Sequence, residues 1–478
     1  MSTLTASIPP VKTRPDWPAI SQLVLSALAA LSLFSVGLII ALVNLAGTLS
    51  SGLAIADLTQ PFMLAGSLIF VGVLVLPSAW YSWKKIAHPD FQPVTRSEWR
   101  HLALFLTILV LVLEAGVLAL GNLVAQNDRI SWLLLPPLNI LATGLPTLWL
   151  VYIGTHGLIP ATPKRKWGVL AVGLTLGPLL ILMLELLLLV GVGILVLLWT
   201  VIDPTLSNQL TSLALPLEYS APNLDQVLKI LLPYVINPGF LFIGFAFISV
   251  LVPLVEETLK PLGVWFLAGK KINPAEGFGY GILSGAGFGL FENLGNTSGV
   301  GTDWALVAAS RMSTLLLHCF TAGLLGWALA SAWSQRRYIR LGISYAIAIL
   351  IHGLWNGMAV LSLLGSVQNL SKFSLPNQLQ QIGTFTTVGL VVLGSLVFLS
   401  FMGFNRYLRS SGEVISTSLT NTSHLTSTST VLPLSDDAHV TSHADSSPLQ
   451  VLGELPSRSE NGLKHLETGE NSTNNSGK

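Results

Sequence analysis

The sequence predicts an all-α, polytopic transmembrane helical bundle of about ten spans. Three observations carry this expectation. Apolar residues make up 51% of the 478 residues and charged residues only 10%, where soluble domains carry roughly 25% charge, and the mean hydropathy is +0.67. Apolar runs of about 20 residues, each sufficient to cross ~30 Å of hydrocarbon, recur along the chain. Lys and Arg concentrate on alternate connections between those runs, the signature of cytoplasmic loops.

Taken in order, the runs lie near 20–46, 62–82, 102–124, 130–154, 168–202, 238–268, 275–296, 303–334, 341–364 and 382–404. The first follows a short polar, basic leader with no small-residue cleavage site, and reads as an uncleaved span. Pro136, Pro137 and Pro146 predict a kink in the fourth. The fifth is long enough to tilt or to extend past the bilayer. Basic residues precede the first span and follow the even-numbered ones: Lys84 and Lys85, Lys164 to Lys166, Lys270 and Lys271, Arg336 and Arg337, Arg406 and Arg409. Both termini are therefore expected in the cytoplasm, with the protein integral to the cell membrane. Trp132, Trp149, Trp199 and Trp304 fall near span ends, as interfacial anchors do. In the loop 203–237, Leu224–Val235 suits a short amphipathic surface helix. From about 410 the chain turns to Ser, Thr, Asn and Asp and cannot bury enough surface to offset ordering entropy. The sequons at Asn421 and Asn471 in that cytoplasmic tail read as chance matches.

This divides the chain into an N-terminal membrane region (1–237), a membrane core of four spans (238–364), a last span (365–409) and a disordered tail (410–478). The single cysteine, Cys319, excludes an intrachain disulfide and any zinc site built from several cysteines. No basic patch interleaved with aromatics points to nucleic acid. The glycines of 277–289 lie inside a span and permit close helix approach.

The core carries the chemistry. Glu256 and Glu257 sit inside the sixth span with Lys260 one turn on, Glu292 and Asn293 inside the seventh, Arg311 and His318 in the eighth, and His352 and Asn356 in the ninth. A charge at mid-membrane costs ~2.5–3.5 kcal/mol even on the lenient insertion scale, so such residues carry function by default. At 1.5 Å per residue from the basic end of each span, Glu257 lies ~17 Å deep, Glu292 ~25 Å, His318 ~24 Å and His352 ~17 Å. Neighbouring spans run in opposite directions, so the agreement points to one buried polar site between four helices. Carboxylate and imidazole together activate water as general bases. The same groups ligate zinc or another divalent metal, with Glu257, Glu292, His318 and His352 as candidates. Asn356 or a histidine can donate to a developing oxyanion. Each residue also has a plain structural use: Lys260 as counter-ion to the glutamate pair, Arg311 as partner of Glu292, His352 and Asn356 in interhelical hydrogen bonds. Glu114 and Glu185 lack a paired motif and are left as structural or cavity-facing groups.

Glu256-Glu257-x-x-Lys260, Phe288-x-x-x-Glu292-Asn293, the Arg311…His318 span and His352-x-x-x-Asn356, in that order, resemble the PrsW family of intramembrane proteases, relatives of the CAAX prenyl proteases. The resemblance implies a membrane-embedded endopeptidase acting on membrane-associated proteins; the family's founding members cleave anti-sigma factors. It further implies that Glu256 or Glu257 activates the water, with Glu292, His318 and His352 in the same site. CAAX-type relatives usually have Arg at the position of Lys260 and His at that of Glu292, so these residues favour the PrsW branch. An ion-coupled secondary transporter would also use midplane Glu and His, and a non-catalytic scaffold signalling through the tail would use neither.

Overall fold

The computed structural model describes residues 15–52, 54–88, 103–158, 162–205, 207–208, 211, 238–370 and 377–427. The expected surface helix at Leu224–Val235 and the tail beyond 427 lie outside the described residues. All regular structure among them is helical: α1 Trp17–Ser51, α2 Thr59–Ala87, α3 Ala103–Ala125, α4 Ser131–Thr155, α5 Pro163–Leu174, α6 Leu176–Ile202, α7 Pro238–Ala246, α8 Val252–Leu259, α9 Leu262–Trp265, α10 Pro274–Ser298, α11 Trp304–Gln335, α12 Tyr338–Leu370 and α13 Asn377–Ser427. A 3-10 turn, Ile55–Leu58, leads into α2, and a π turn, Phe247–Leu251, joins α7 to α8. The last helix passes position 410, where the composition turns polar.

Local sequence explains where these helices start and break. Asp16 caps α1 by accepting from the Ala19 backbone N–H at 3.1 Å. Asn273 and Glu276 form a reciprocal capping box at the head of α10. Pro178 has no N–H to give the carbonyl of Leu174, and the fifth expected span breaks at Thr175 into α5 and α6. The sixth breaks twice. Pro253 cannot donate to the Ser249 carbonyl, and the backbone widens there into the π turn. Pro261 then ends α8 right after the Glu256-Glu257 pair. The three prolines of α4 are absorbed within a single assigned helix.

Nine helical stretches among the described residues are long and apolar enough to cross a membrane. The tenth expected span, 275–296, is α10: it has the length, but glycine at 277, 279, 281, 285, 287, 289 and 295 lowers its hydropathy. Its place is inside the protein rather than against lipid. Gly281 and Gly285 let its backbone lie on that of α11; a Cβ at either would strike the carbonyl of Ala322 or of His318. On the opposite side, Gly287 meets the backbone of α5 at Gly173, where an added Cβ would come within 2.9 Å. Of the nine membrane-length stretches α11 is the most enclosed, with 94% of its most apolar window buried, against 6% for the α5–α6 stretch. Leu182, Leu187, Leu195 and Val201 of α6 are left exposed, as lipid-facing residues are. The main core joins α10 and α11 to the last helix through Phe278, Ile282, Leu315, Phe320, Trp355 and Phe401.

Candidate active site

Tight backbone packing sets the polar residues. Gly353 of α12 lies on the π turn, where a Cβ would strike the carbonyl of Ser249, and Gly357 sits over Phe245. Asn356 Nδ2 donates to the Ile248 carbonyl at 3.2 Å. This contact holds His352, the residue before Gly353, against the end of α8. On the other side, Gly289 leaves room for the ring of His318, whose Cδ2 would lie 3.1 Å from an added Cβ. The edge of His318 meets the face region of Phe288 at 5.1 Å between centroids, in a T-shaped contact.

Two charged clusters result. In the first, Lys260 Nζ lies 2.7 Å from Glu257 Oε1 and 2.9 Å from Glu256 Oε2, and His352 Nδ1 lies 2.8 Å from Glu257 Oε1. Lys260, Glu257 and His352 are essentially inaccessible, at 1%, 0% and 1% exposure. In the second, Arg311 Nη2 lies 2.7 Å from Glu292 Oε1, and His318 Nε2 lies 2.8 Å from Glu292 Oε2. Asn293 Oδ1 accepts from Arg311 Nε at 2.8 Å, and its amide returns a bond to the Arg311 carbonyl at 3.0 Å. The clusters touch through the imidazoles, whose ring centroids are 5.6 Å apart.

At that junction, Glu256, His318 and His352 each offer a ligand atom, and the three atoms lie within 4.8 Å of one another. All three residues are buried, and each comes from a different helix. Glu257 does not join this group. It faces Lys260 and His352 Nδ1, while Glu256 Oε2 lies 3.8 Å from His352 Nε2, on the other side of the ring. Glu292 stands behind His318, and Asn356 spends an amide hydrogen on the π turn.

The donor set suits a divalent metal such as zinc: two imidazole nitrogens and a carboxylate oxygen. His318 Nδ1 is buried without a hydrogen-bond partner among the described residues, and such an orphaned acceptor needs one. Each imidazole also has a carboxylate on its other side, Glu257 on His352 and Glu292 on His318, the arrangement that orients metal-binding histidines.

The site opens into a cavity of about 1070 Å³ between α6, the π turn, α11, α12 and α13. Glu185 of α6 lines it beside Glu256 and Glu292. The only sequence signal for Glu185 was an acid inside a span; its neighbours come from helices remote in the chain. Glu114, buried on α3 with both carboxylate oxygens unpartnered among the described residues, lies outside this cavity.

Residues 178–393 match the family described as PrsW family intramembrane metalloprotease. This stretch contains every polar residue of both clusters, and it reaches beyond 238–364 on both sides, taking in α6 with Glu185 and the first part of α13. No curated protein and no solved structure matches the chain. The protein is thus an integral membrane protein, and its residues 178–393 are similar to the PrsW family of intramembrane metalloproteases.

Proposed function

We propose that this protein hydrolyses peptide bonds of membrane-associated proteins, anti-sigma-factor-like proteins among them, with a water held at Glu256, His318 and His352. The convergence of those three buried donors from three helices within 4.8 Å carries the proposal. Glu257 holds His352 through Nδ1, so that Nε2 is presented to Glu256 and to the reacting water. Glu292 does the same for His318 while Arg311 balances its charge. Lys260 keeps Glu256 and Glu257 side by side in an apolar setting that would otherwise force the acids apart. Glu256 Oε2, held by the Lys260 ammonium at 2.9 Å, is the carboxylate oxygen that takes a proton from water as it adds to a carbonyl. Glu256, His318 and His352 would hold a divalent metal, which would supply Lewis acidity to a bound water and to a carbonyl.

The chemistry belongs to the core 238–364 together with Glu185, and the basic loops support a topology with both termini in the cytoplasm. The test is cleavage of a labelled single-span protein by the purified full chain, with elemental analysis of the same preparation. Glu256→Gln and His352→Ala are expected to abolish cleavage and to release any stoichiometric metal while the protein stays folded. Full cleavage by both variants would overturn the reading.

A further inference from the structure

The turn between α11 and α12 carries charge that no acid of the described residues balances. Arg336 and Arg337 form it, and Arg340 follows in the first turn of α12. No Asp or Glu occurs between Asp303 and Glu413, and none of the three arginines has an ion pair among the described residues. The cations of the candidate active site are different: Lys260 is paired with Glu256 and Glu257, and Arg311 with Glu292.

Two of these arginines are held in place. The Arg340 guanidinium lies over the ring of Trp327, 4.4 Å from its centroid, and Nη1 donates to Ser331 Oγ at 3.2 Å. Ser331 is fully buried and gives its own hydrogen to the Trp327 carbonyl at 2.8 Å, which leaves its oxygen to accept. Trp327 meets Phe404 of α13 edge to face, with centroids 4.9 Å apart. A guanidinium fixed in this way loses little freedom when it takes up an anion, and its other N–H donors remain for one. Arg336 is fixed by the backbone. Its φ of 57° makes it the one left-handed residue other than glycine among the described residues. It ends α11, with its N–H on the Ala332 carbonyl at 3.0 Å and that of Arg337 on the Ser331 carbonyl at 3.4 Å. Glycine is the usual residue at such a helix end, so the chain carries arginine there at a conformational cost.

The setting is the edge of the membrane. α11 and α12 both have the length and apolar composition to cross it, so the turn that joins them lies at its surface. Beside the arginines, Tyr338 and Ile339 are 64% and 82% exposed. Bare guanidinium groups next to an exposed Tyr and Ile suit the layer where phosphates meet acyl chains. The planar donors of arginine match the oxygens of a phosphate. We infer that the α11–α12 turn is a seat for the headgroup of an anionic phospholipid. Arg340 is its fixed donor, Arg336 and Arg337 stand beside it, and Tyr338 and Ile339 meet the upper acyl chain. The turn joins the helix of His318 to that of His352, so an occupied seat holds both against sliding along the membrane normal. The seat is independent of peptide hydrolysis, and its test needs no substrate.

The experiment uses the full chain in nanodiscs of phosphatidylglycerol and phosphatidylcholine in equal amounts, with matched acyl chains. A photo-crosslinking amino acid replaces Ile339 or, as control, the lipid-facing Leu182, and mass spectrometry identifies the captured lipid. Phosphatidylglycerol is expected to exceed phosphatidylcholine by about tenfold at Ile339, the scale of one to two arginines beside an anionic headgroup. At Leu182 the two are expected to be captured equally. Arg340→Gln is expected to bring the ratio at Ile339 close to one. Should that variant fail to fold, Arg336→Gly decides: it relieves the left-handed backbone, and it is expected to lower the ratio by about threefold. Lys270→Gln removes an exposed charge on another loop and is expected to change nothing. Inorganic phosphate, against chloride at the same ionic strength, is expected to leave the ratio as it is. Equal capture of both lipids at Ile339, a parental ratio in Arg340→Gln or Arg336→Gly, or an equally large effect of Lys270→Gln would overturn the inference. Loss of the preference in phosphate but not in chloride would do so too, because the turn would then be a site for a free anion.

Discussion

Lys260→Met tests the charge arrangement on which the site depends. Lys260 is 1% exposed, and its ammonium lies between Glu257 at 2.7 Å and Glu256 at 2.9 Å. Methionine has similar length and no charge, so the volume is kept and two carboxylates are left facing each other without their cation. Removing one partner of a buried ion pair costs about 3–5 kcal/mol, which is roughly a 150- to 5,000-fold shift in the folding equilibrium. Glu257→Gln is milder, because Lys260 keeps Glu256 and the amide keeps an acceptor oxygen; it should cost about 1–3 kcal/mol. The double variant removes the cation and one of the two anions it served, so it should be less destabilised than the sum of the singles by about 1 kcal/mol or more. Unfolding in mixed micelles titrated with SDS, followed through the fluorescence of the 13 tryptophans, measures all three. A Lys260→Met variant within about 0.5 kcal/mol of the parent, or strict additivity in the double variant, would refute the reasoning.

Three further outcomes follow from the packing. Gly285→Leu forces a side chain onto the His318 carbonyl and should destabilise by about 3 kcal/mol or more, at the upper end for overpacking, read as loss of folded protein on gel filtration. Gly353→Val pushes α12 off the Ser249 carbonyl and withdraws His352 from Glu257; cleavage should fall by at least about 100-fold, as misplacement by ~1 Å does in well-oriented sites, while circular dichroism keeps its helical signal. Asn405→Leu leaves the buried Gly154 carbonyl without the donor it has at 2.6 Å and should cost about 1–3 kcal/mol by the same SDS titration, with no change in metal content.

Much of the architecture was legible along the chain, because lipid imposes simple demands. A helix that must satisfy its own backbone and face hydrocarbon shows itself as an apolar run, and every span inferred from composition is helical here, eight of the ten as one helix. The breaks at Thr175 and around Glu256 were less visible. Proline marks both places, but whether a proline kinks, breaks or is absorbed depends on what packs against it. α4 keeps three prolines within one assigned helix, whereas Pro178 coincides with a full break.

The amino-acid order by itself determined which helices carry acids and imidazoles and how far along each helix they sit, because a rise of 1.5 Å per residue converts position into height. Rotation about each helix axis was not in that conversion. Only the packing of α12 on the π turn, and of α10 on α11 through glycine, decided that Glu256 converges with both histidines while Glu257 holds His352 from behind. The same packing put Glu292 behind His318, and Glu185 in the cavity with them. Neighbouring side chains on a helix point about 100° apart, so which of two consecutive glutamates reaches a partner is settled by the helix that leans against them.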